Sequence, residues 1–272
     1  MYTTLIGATD LAELAADEVR IFDCRFDLAD TQAGAKRFRD QHIPGAVYVH
    51  LDDDLSGTAV PGETGRHPLP DEMRFRALLR EHGVGPDTQV VAYDDAGGMF
   101  AARLWWLVRW AGHAAVAVLD GGYRAWRQRE GTHDASDSSS AHGVPPPVSM
   151  PQVRAHVESG TWTLLDARAS DRFHGENETI DPVAGHIAGA LNAPFQANLG
   201  IDGRFLDPTA LKRRFEALLA DEGGKPVVCY CGSGVTAAHN VLAMVHAGLP
   251  EPALYPGSWS EWITDPGNPT AS

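Results

Sequence analysis

A cysteine that ends an apolar run and opens a loop of small residues is a place where sulfur chemistry can be done. The run Val227-Val228-Cys229-Tyr230 leads into Cys231-Gly232-Ser233-Gly234-Val235-Thr236, and a helical pattern begins around Thr236. The thiolate is the nucleophilic form of cysteine, and a lowered pKa populates it near neutrality. Glycines let the backbone fold tightly enough for successive N–H groups to converge on one point. A helix that starts there adds its positive end. Gly232, Gly234, Val235 and Thr236 are therefore expected to form an anion cradle around the sulfur of Cys231, or around a persulfide anion one atom further out. The small side chains are expected to leave an open approach for a donor. Cys229, inside the run, and Cys24, in an earlier apolar run, are expected to be core residues. Neither a further cysteine nor a paired histidine cluster stands close enough in sequence to complete four ligands, so no metal is expected at Cys229 and Cys231.

The elements that must position this loop come in two sets. IFDCR (Ile21–Arg25) is echoed by LLDAR (Leu164–Arg168), and HIPGAVYV from His42 by HIAGALNAP from His186. VVAYDDAGG from Val90 matches VVCYCGSGV from Val227, and VLDGGYRAW from Val118 matches LYPGSWSEW from Leu254. Four segments in one order at a nearly constant offset indicate duplication of a whole domain, with a period far too long for a solenoid. In each copy short β-rich runs alternate with amphipathic helical patterns, such as LPDEMRFRALLREHG and LDPTALKRRFEALLADEG. That alternation predicts an α/β fold in which each copy is a mainly parallel sheet with helices on both faces. Ligands of such sheets gather at the carboxyl ends of strands, where Cys231 is expected. The predicted organisation is a first domain over 1–130, a linker over 131–151 and a second domain over 152–272. The linker is rich in serine, proline and glycine and poor in large apolar residues, so it cannot order itself as a core element. Cys231 aligns with Asp94 of the first copy, and a carboxylate cannot take up and pass on sulfur. The first domain is therefore expected to be catalytically silent. Arg25 and Arg168, like His42 and His186, recur in both copies and are expected to serve the fold.

Composition narrows the partners. The 22 Lys and Arg against 36 Asp and Glu give a net charge of −14, which argues against nucleic acid and against an anionic membrane surface. No apolar run reaches membrane-spanning length and no signal-peptide pattern opens the chain. Three cysteines do not make a disulfide framework, so a reducing, cytoplasmic setting is expected.

The CGSGVT loop after an apolar strand, the paired DAR…GHI segments and the terminal PGSWSEW together resemble the two-domain rhodanese-type sulfurtransferases over nearly the whole chain. The resemblance implies double displacement. Cys231 would attack a small-molecule sulfur donor, carry the sulfur as a persulfide, and pass it to a thiol or cyanide; thioredoxin is one candidate acceptor. No cofactor is implied. Neutral Gly232 and Ser233 resemble the 3-mercaptopyruvate sulfurtransferase pattern, whose loop serine works with a histidine and an aspartate of the first domain. The matching residues are Ser233, His67 and Asp52, as proton relay and imidazole orienter. Arg172 matches the family arginine that grips the donor's carboxylate or sulfonate. The chain departs from the pattern at Asp181, where mercaptopyruvate enzymes carry a second arginine; Arg66 is a candidate replacement. 3-Mercaptopyruvate is the favoured donor and thiosulfate the alternative. Two readings come from other classes. A cysteine phosphatase would need an arginine closing the loop, where this one reaches Ala237. A carrier or binding module would load one sulfur and stall without its partner.

Overall fold

The computed structural model describes residues 1–134 and 143–272. Its strands are β1 (Leu5–Ile6), β2 (Val19–Asp23), β3 (Val47–Tyr48), β4 (Gln89–Tyr93), β5 (Val116–Leu119), β6 (Thr163–Asp166), β7 (His186–Ile187), β8 (Leu191–Asn192), β9 (Val227–Tyr230), β10 (Ala253–Leu254) and β11 (Thr270–Ala271). Its α-helices are α1 (Ala8–Glu13), α2 (Ala33–Asp40), α3 (Glu72–Glu81), α4 (Met99–Trp110), α5 (Gly122–Gln128), α6 (Met150–Ser159), α7 (Ser170–Phe173), α8 (Pro208–Leu218), α9 (Thr236–His246) and α10 (Ser258–Trp262).

The chain packs as two units, one of residues 1–57, 69–143 and 201–205, the other of 58–68, 144–200 and 206–272. The first contains a five-stranded sheet in the order β1-β5-β4-β2-β3, the second a four-stranded sheet in the order β10-β9-β6-β8, and every pairing in both is parallel. Apart from β1 the two orders correspond strand for strand. An antiparallel pair, β11 with β7, is added to the second unit. Val90 to Tyr93 and Val228 to Tyr230 are buried throughout, as central strands of covered parallel sheets must be. The helices that follow them, α4 and α9, are apolar nearly all round and almost wholly buried.

The repeated Asp and Arg of each copy form the same buried pair. Arg25 Nη2 lies 2.5 Å from Asp23 and 2.7 Å from the Gln41 carbonyl. Arg168 Nη2 lies 2.6 Å from Asp166 and 2.8 Å from the Gly185 carbonyl. Each arginine thus ties a strand end to the loop that crosses it, and a charge-assisted fork of this kind tolerates burial because its charge is paired and its Nε and Nη2 donors are used. Arg168 Nη1, by contrast, has no hydrogen-bond partner among the described residues and lies 3.6 Å from Glu178. His42 and His186 stack on Phe38 and Phe173 at 4.1 and 3.6 Å.

One local expectation needs correction. Met150 and Pro151, read as the end of the linker, already belong to α6, because Ser149 and Gln152 form a capping box with Pro151 in the first turn. Just before them the Val148 N–H donates to the Leu254 carbonyl at 2.9 Å. The linker residues 135–142 lie outside the described residues.

Candidate functional site

Cys231 follows β9 directly, and α9 begins at Thr236 with Val235 as its N-cap. Gly234, at φ +78°, turns the loop so that its N–H donates to Cys231 Sγ at 3.1 Å. Only glycine fits there: a Cβ would stand 2.3 Å from the Pro256 carbonyl oxygen, closer than real atoms approach. The loop is held from below by the start of α10. The Cys231 N–H donates to Ser258 Oγ at 3.1 Å, and that hydroxyl donates to the Tyr255 carbonyl at 2.9 Å. The Trp259 and Ser260 N–H groups donate to the carbonyls of Cys231 and Gly232, each at 2.9 Å. Ser258 is fully buried and adopts φ +55°. This bracing has a consequence that the small loop residues conceal: Cys231 is 2 % exposed, not openly approachable as the loop composition suggests.

The other cysteines behave as core. Burial drives the Cys229 thiol strongly upward, with neighbouring Cys231 adding to the effect. Burial also raises Cys24, helped by Asp94 and Asp23. Neither is available as a thiolate near neutrality.

Residues 58–68 pack with the second unit, and they bring His67 and Arg66 to the loop. His67 Nδ1 lies 2.7 Å from Ser233 Oγ, with both residues buried. The Arg66 N–H donates to Ser260 Oγ at 3.0 Å, which anchors the segment on α10. A Cβ on Gly232 would lie 2.9 Å from Nη2 of Arg66 and 3.6 Å from Nη1 of Arg172. Both guanidinium groups therefore border the loop, and Gly232 is bare backbone where they approach. Behind them stand two carboxylates. Arg66 pairs with Asp181, and Arg172 Nη2 lies 3.0 Å from Asp181 and 2.9 Å from Glu178. Burial raises the Asp181 carboxyl above its ordinary value against the pull of Arg66. Burial acts the same way on Glu178, but the Asp181 N–H and the Arg172 guanidinium outweigh it and hold that carboxyl below the ordinary range.

Cys231, Ser233, His67 and Arg172 thus gather within one unit. Asp52 belongs to the other, in a turn where its N–H faces His50 Nδ1 at 3.3 Å and burial raises its carboxyl. In that first unit Asp94 follows β4 as Cys231 follows β9. Its carboxylate accepts four main-chain N–H groups, from Ala96, Gly98, Phe100 and Ala101, at 2.8–3.0 Å.

Sequence reasoning missed Ser258, Ser260 and Glu178. The serines stand in GSWSEW, where tryptophans drew the attention; the signal was a pair of small polar residues between large apolar ones. Among the described residues there is no group of three or more potential metal ligands.

The rhodanese-like domain model matches residues 8–129 and 149–265. A Pseudomonas aeruginosa protein named "Probable 3-mercaptopyruvate sulfurtransferase" is 48% identical, over 98% of each chain. The Bos taurus thiosulfate sulfurtransferase is 34% identical, over 97% of this chain and 93% of that one. Among solved structures, the 3-mercaptopyruvate sulfurtransferase from Leishmania major superposes with a TM-score of 0.79 at 28% identity, covering 96% of this chain and 74% of that chain.

Proposed function

Since this chain belongs to the rhodanese-like family, we propose that it moves a sulfur atom from an anionic donor, 3-mercaptopyruvate in the first place, through a persulfide on Cys231, where it is sulfane sulfur, to a thiol or cyanide. The observation that carries the reading is the 2.7 Å contact between Ser233 Oγ and His67 Nδ1 beside a sulfur that already accepts the Gly234 N–H. That set suits proton movement at a sulfur nucleophile.

In the first step the Cys231 thiolate attacks the donor sulfur. An S–S bond forms, the donor's C–S bond breaks, and its electron pair leaves as the pyruvate enolate. The proton from the donor thiol passes through Ser233 and His67 to the enolate carbon, leaving pyruvate and a Cys231 persulfide anion. The Gly234 N–H and the start of α9 favour that anion. In the second step an acceptor thiolate attacks the outer sulfur, takes it as its own persulfide, and releases the Cys231 thiolate. Arg172 holds the donor carboxylate. The role of imidazole orienter is assigned to Asp52 by the family resemblance alone. Thiosulfate, with sulfite as leaving group, is the alternative donor; it needs no carbon protonation, and the Ser233–His67 pair favours the donor that does.

The three cysteines are free, in keeping with a reducing cytoplasm where a thiol protein such as thioredoxin is available as acceptor. No helix among the described residues is long and apolar enough to cross a membrane.

The test compares kcat/KM for 3-mercaptopyruvate and thiosulfate with cyanide as acceptor, and measures intact mass after donor alone. Cys231→Ala is expected to abolish turnover and the one-sulfur mass gain with both donors. Ser233→Ala is expected to reduce mercaptopyruvate turnover more than thiosulfate turnover. Turnover retained without Cys231 removes the mechanism, and an equal loss on Ser233→Ala removes the proton relay.

A further inference from the structure

The guanidinium groups beside the loop are balanced charge for charge from behind. Arg66 pairs through Nη1 with Asp181, and Arg172 pairs through Nε and Nη2 with Glu178 and through Nη2 with Asp181. The nitrogens nearest Gly232 are Nη2 of Arg66 and Nη1 of Arg172, which hold none of these carboxylate oxygens. The two Asp181 and Glu178 side chains are sealed, 2 % and 3 % exposed, whereas Arg66 and Arg172 are 31 % and 18 % exposed. Arg168, 3.6 Å from Glu178, is itself balanced by Asp166. Two cations and two anions sum to zero, so the seat offers directed N–H donors without surplus positive charge.

A donor with one negative charge can use those donors. A donor with two brings a charge that nothing in the cluster neutralises, close to a buried carboxylate where the repulsion is weakly screened. Resting on the sulfur-transfer reading above, we infer that Asp181 makes this seat selective for singly charged donors and works against doubly charged ones. At neutral pH a mercapto-2-oxo acid carries one carboxylate charge and thiosulfate carries two. Asp181 also recruits Arg66, from the 58–68 segment, as the second cation of the seat.

The experiment measures kcat/KM for thiosulfate and for 3-mercaptopyruvate, with cyanide as acceptor, in the wild-type chain and in Asp181→Asn. The substitution keeps the shape and takes the cluster from zero to one net positive charge. The ratio of thiosulfate to mercaptopyruvate efficiency is expected to rise at least about tenfold. Arg66→Gln, which makes the cluster net negative, is expected to move the ratio the other way. A ratio unchanged or lowered in Asp181→Asn overturns the inference. Competition in the wild-type chain needs no variant to fold: singly charged pyruvate is expected to inhibit at lower concentration than doubly charged sulfate, and the reverse order overturns the inference equally. Wild-type chain inactive with both donors would instead sink the sulfur-transfer reading, and the inference with it.

Discussion

Replacing Ser258 by alanine and by glycine separates a hydrogen bond from a backbone cost at the same residue. Ser258 braces the main chain of Cys231 from below, accepting its N–H at 3.1 Å while donating to Tyr255. It does so at φ +55°, a conformation that costs a non-glycine residue about 1–2 kcal/mol. Both substitutions remove the acceptor and strand a buried N–H, a loss of about 1–3 kcal/mol. Alanine keeps the backbone cost. Glycine escapes it, returning about 1–2 kcal/mol, and gives back about 0.5–1 kcal/mol through the freedom it adds to the unfolded chain. Ser258→Ala is therefore expected to destabilise by about 2 kcal/mol, and Ser258→Gly by about 0.5 kcal/mol less. The usual ranking of alanine above glycine is inverted. Guanidinium unfolding followed by tryptophan fluorescence reads this, since Trp259 is adjacent and fully buried. The single-turnover rate of sulfur loading onto Cys231 is expected to fall in both variants, because both free the Cys231 main chain. An alanine variant as stable as the glycine one refutes the strain argument. A glycine variant that recovers rate along with stability refutes the bracing argument.

Three further outcomes follow from the geometry. Gly234→Ala forces a Cβ to within 2.3 Å of the Pro256 carbonyl at φ +78°, so the loop must shift and the N–H on Cys231 Sγ is lost; sulfur loading is expected to drop at least about tenfold, and an unchanged single-turnover rate contradicts this. Asp94→Ala leaves four buried N–H groups without their acceptor and is expected to cost at least about 3 kcal/mol, checked by denaturant unfolding, with small carboxylates such as formate restoring part of the loss. Glu178 is held below the ordinary carboxylate range, with burial opposing and the Asp181 N–H and Arg172 prevailing. Its contribution is therefore present above the unfolded value of about 4.3 and disappears as pH falls through the lower folded value. The stability gap between the wild-type chain and Glu178→Gln is expected to be open at pH 7 and to close in acid, and a gap independent of pH removes the assignment.

The parts of this molecule that were legible in sequence are those made by neighbours along the chain. The turn from Tyr230 through Cys231 to Thr236 follows from an apolar β run, two glycines and a helix start, all local. The Asp–Arg pairs stood out because duplication printed them twice. What was not legible depends on contacts across long separations. Family resemblance paired His67 with Ser233, but nothing in GRHPLP itself announces which sheet it will meet, and the anchoring of Arg66 on Ser260 was not foreseen. Asp181 reads in isolation as a missing arginine, and its pairing with both Arg66 and Arg172 spans separations that the sequence does not disclose. The burial of Cys231 was misjudged for the same reason: small loop residues suggest openness, but Ser258, Trp259 and Ser260 close on that loop from the end of the chain.

Asp94 has a further meaning when bonds are counted outward from the main chain. An aspartate places its oxygens three bonds from Cα, and a sulfur-bearing cysteine places its terminal sulfur three bonds from Cα as well. The first unit thus carries, in carbon and oxygen, the outline of the second in its charged form. Its loop closes on a permanent occupant, whereas on the proposed reaction the loop of the other copy acquires and surrenders one with every cycle. Amide exchange at residues 231–236 is therefore expected to slow when sulfur is loaded and to quicken on its delivery.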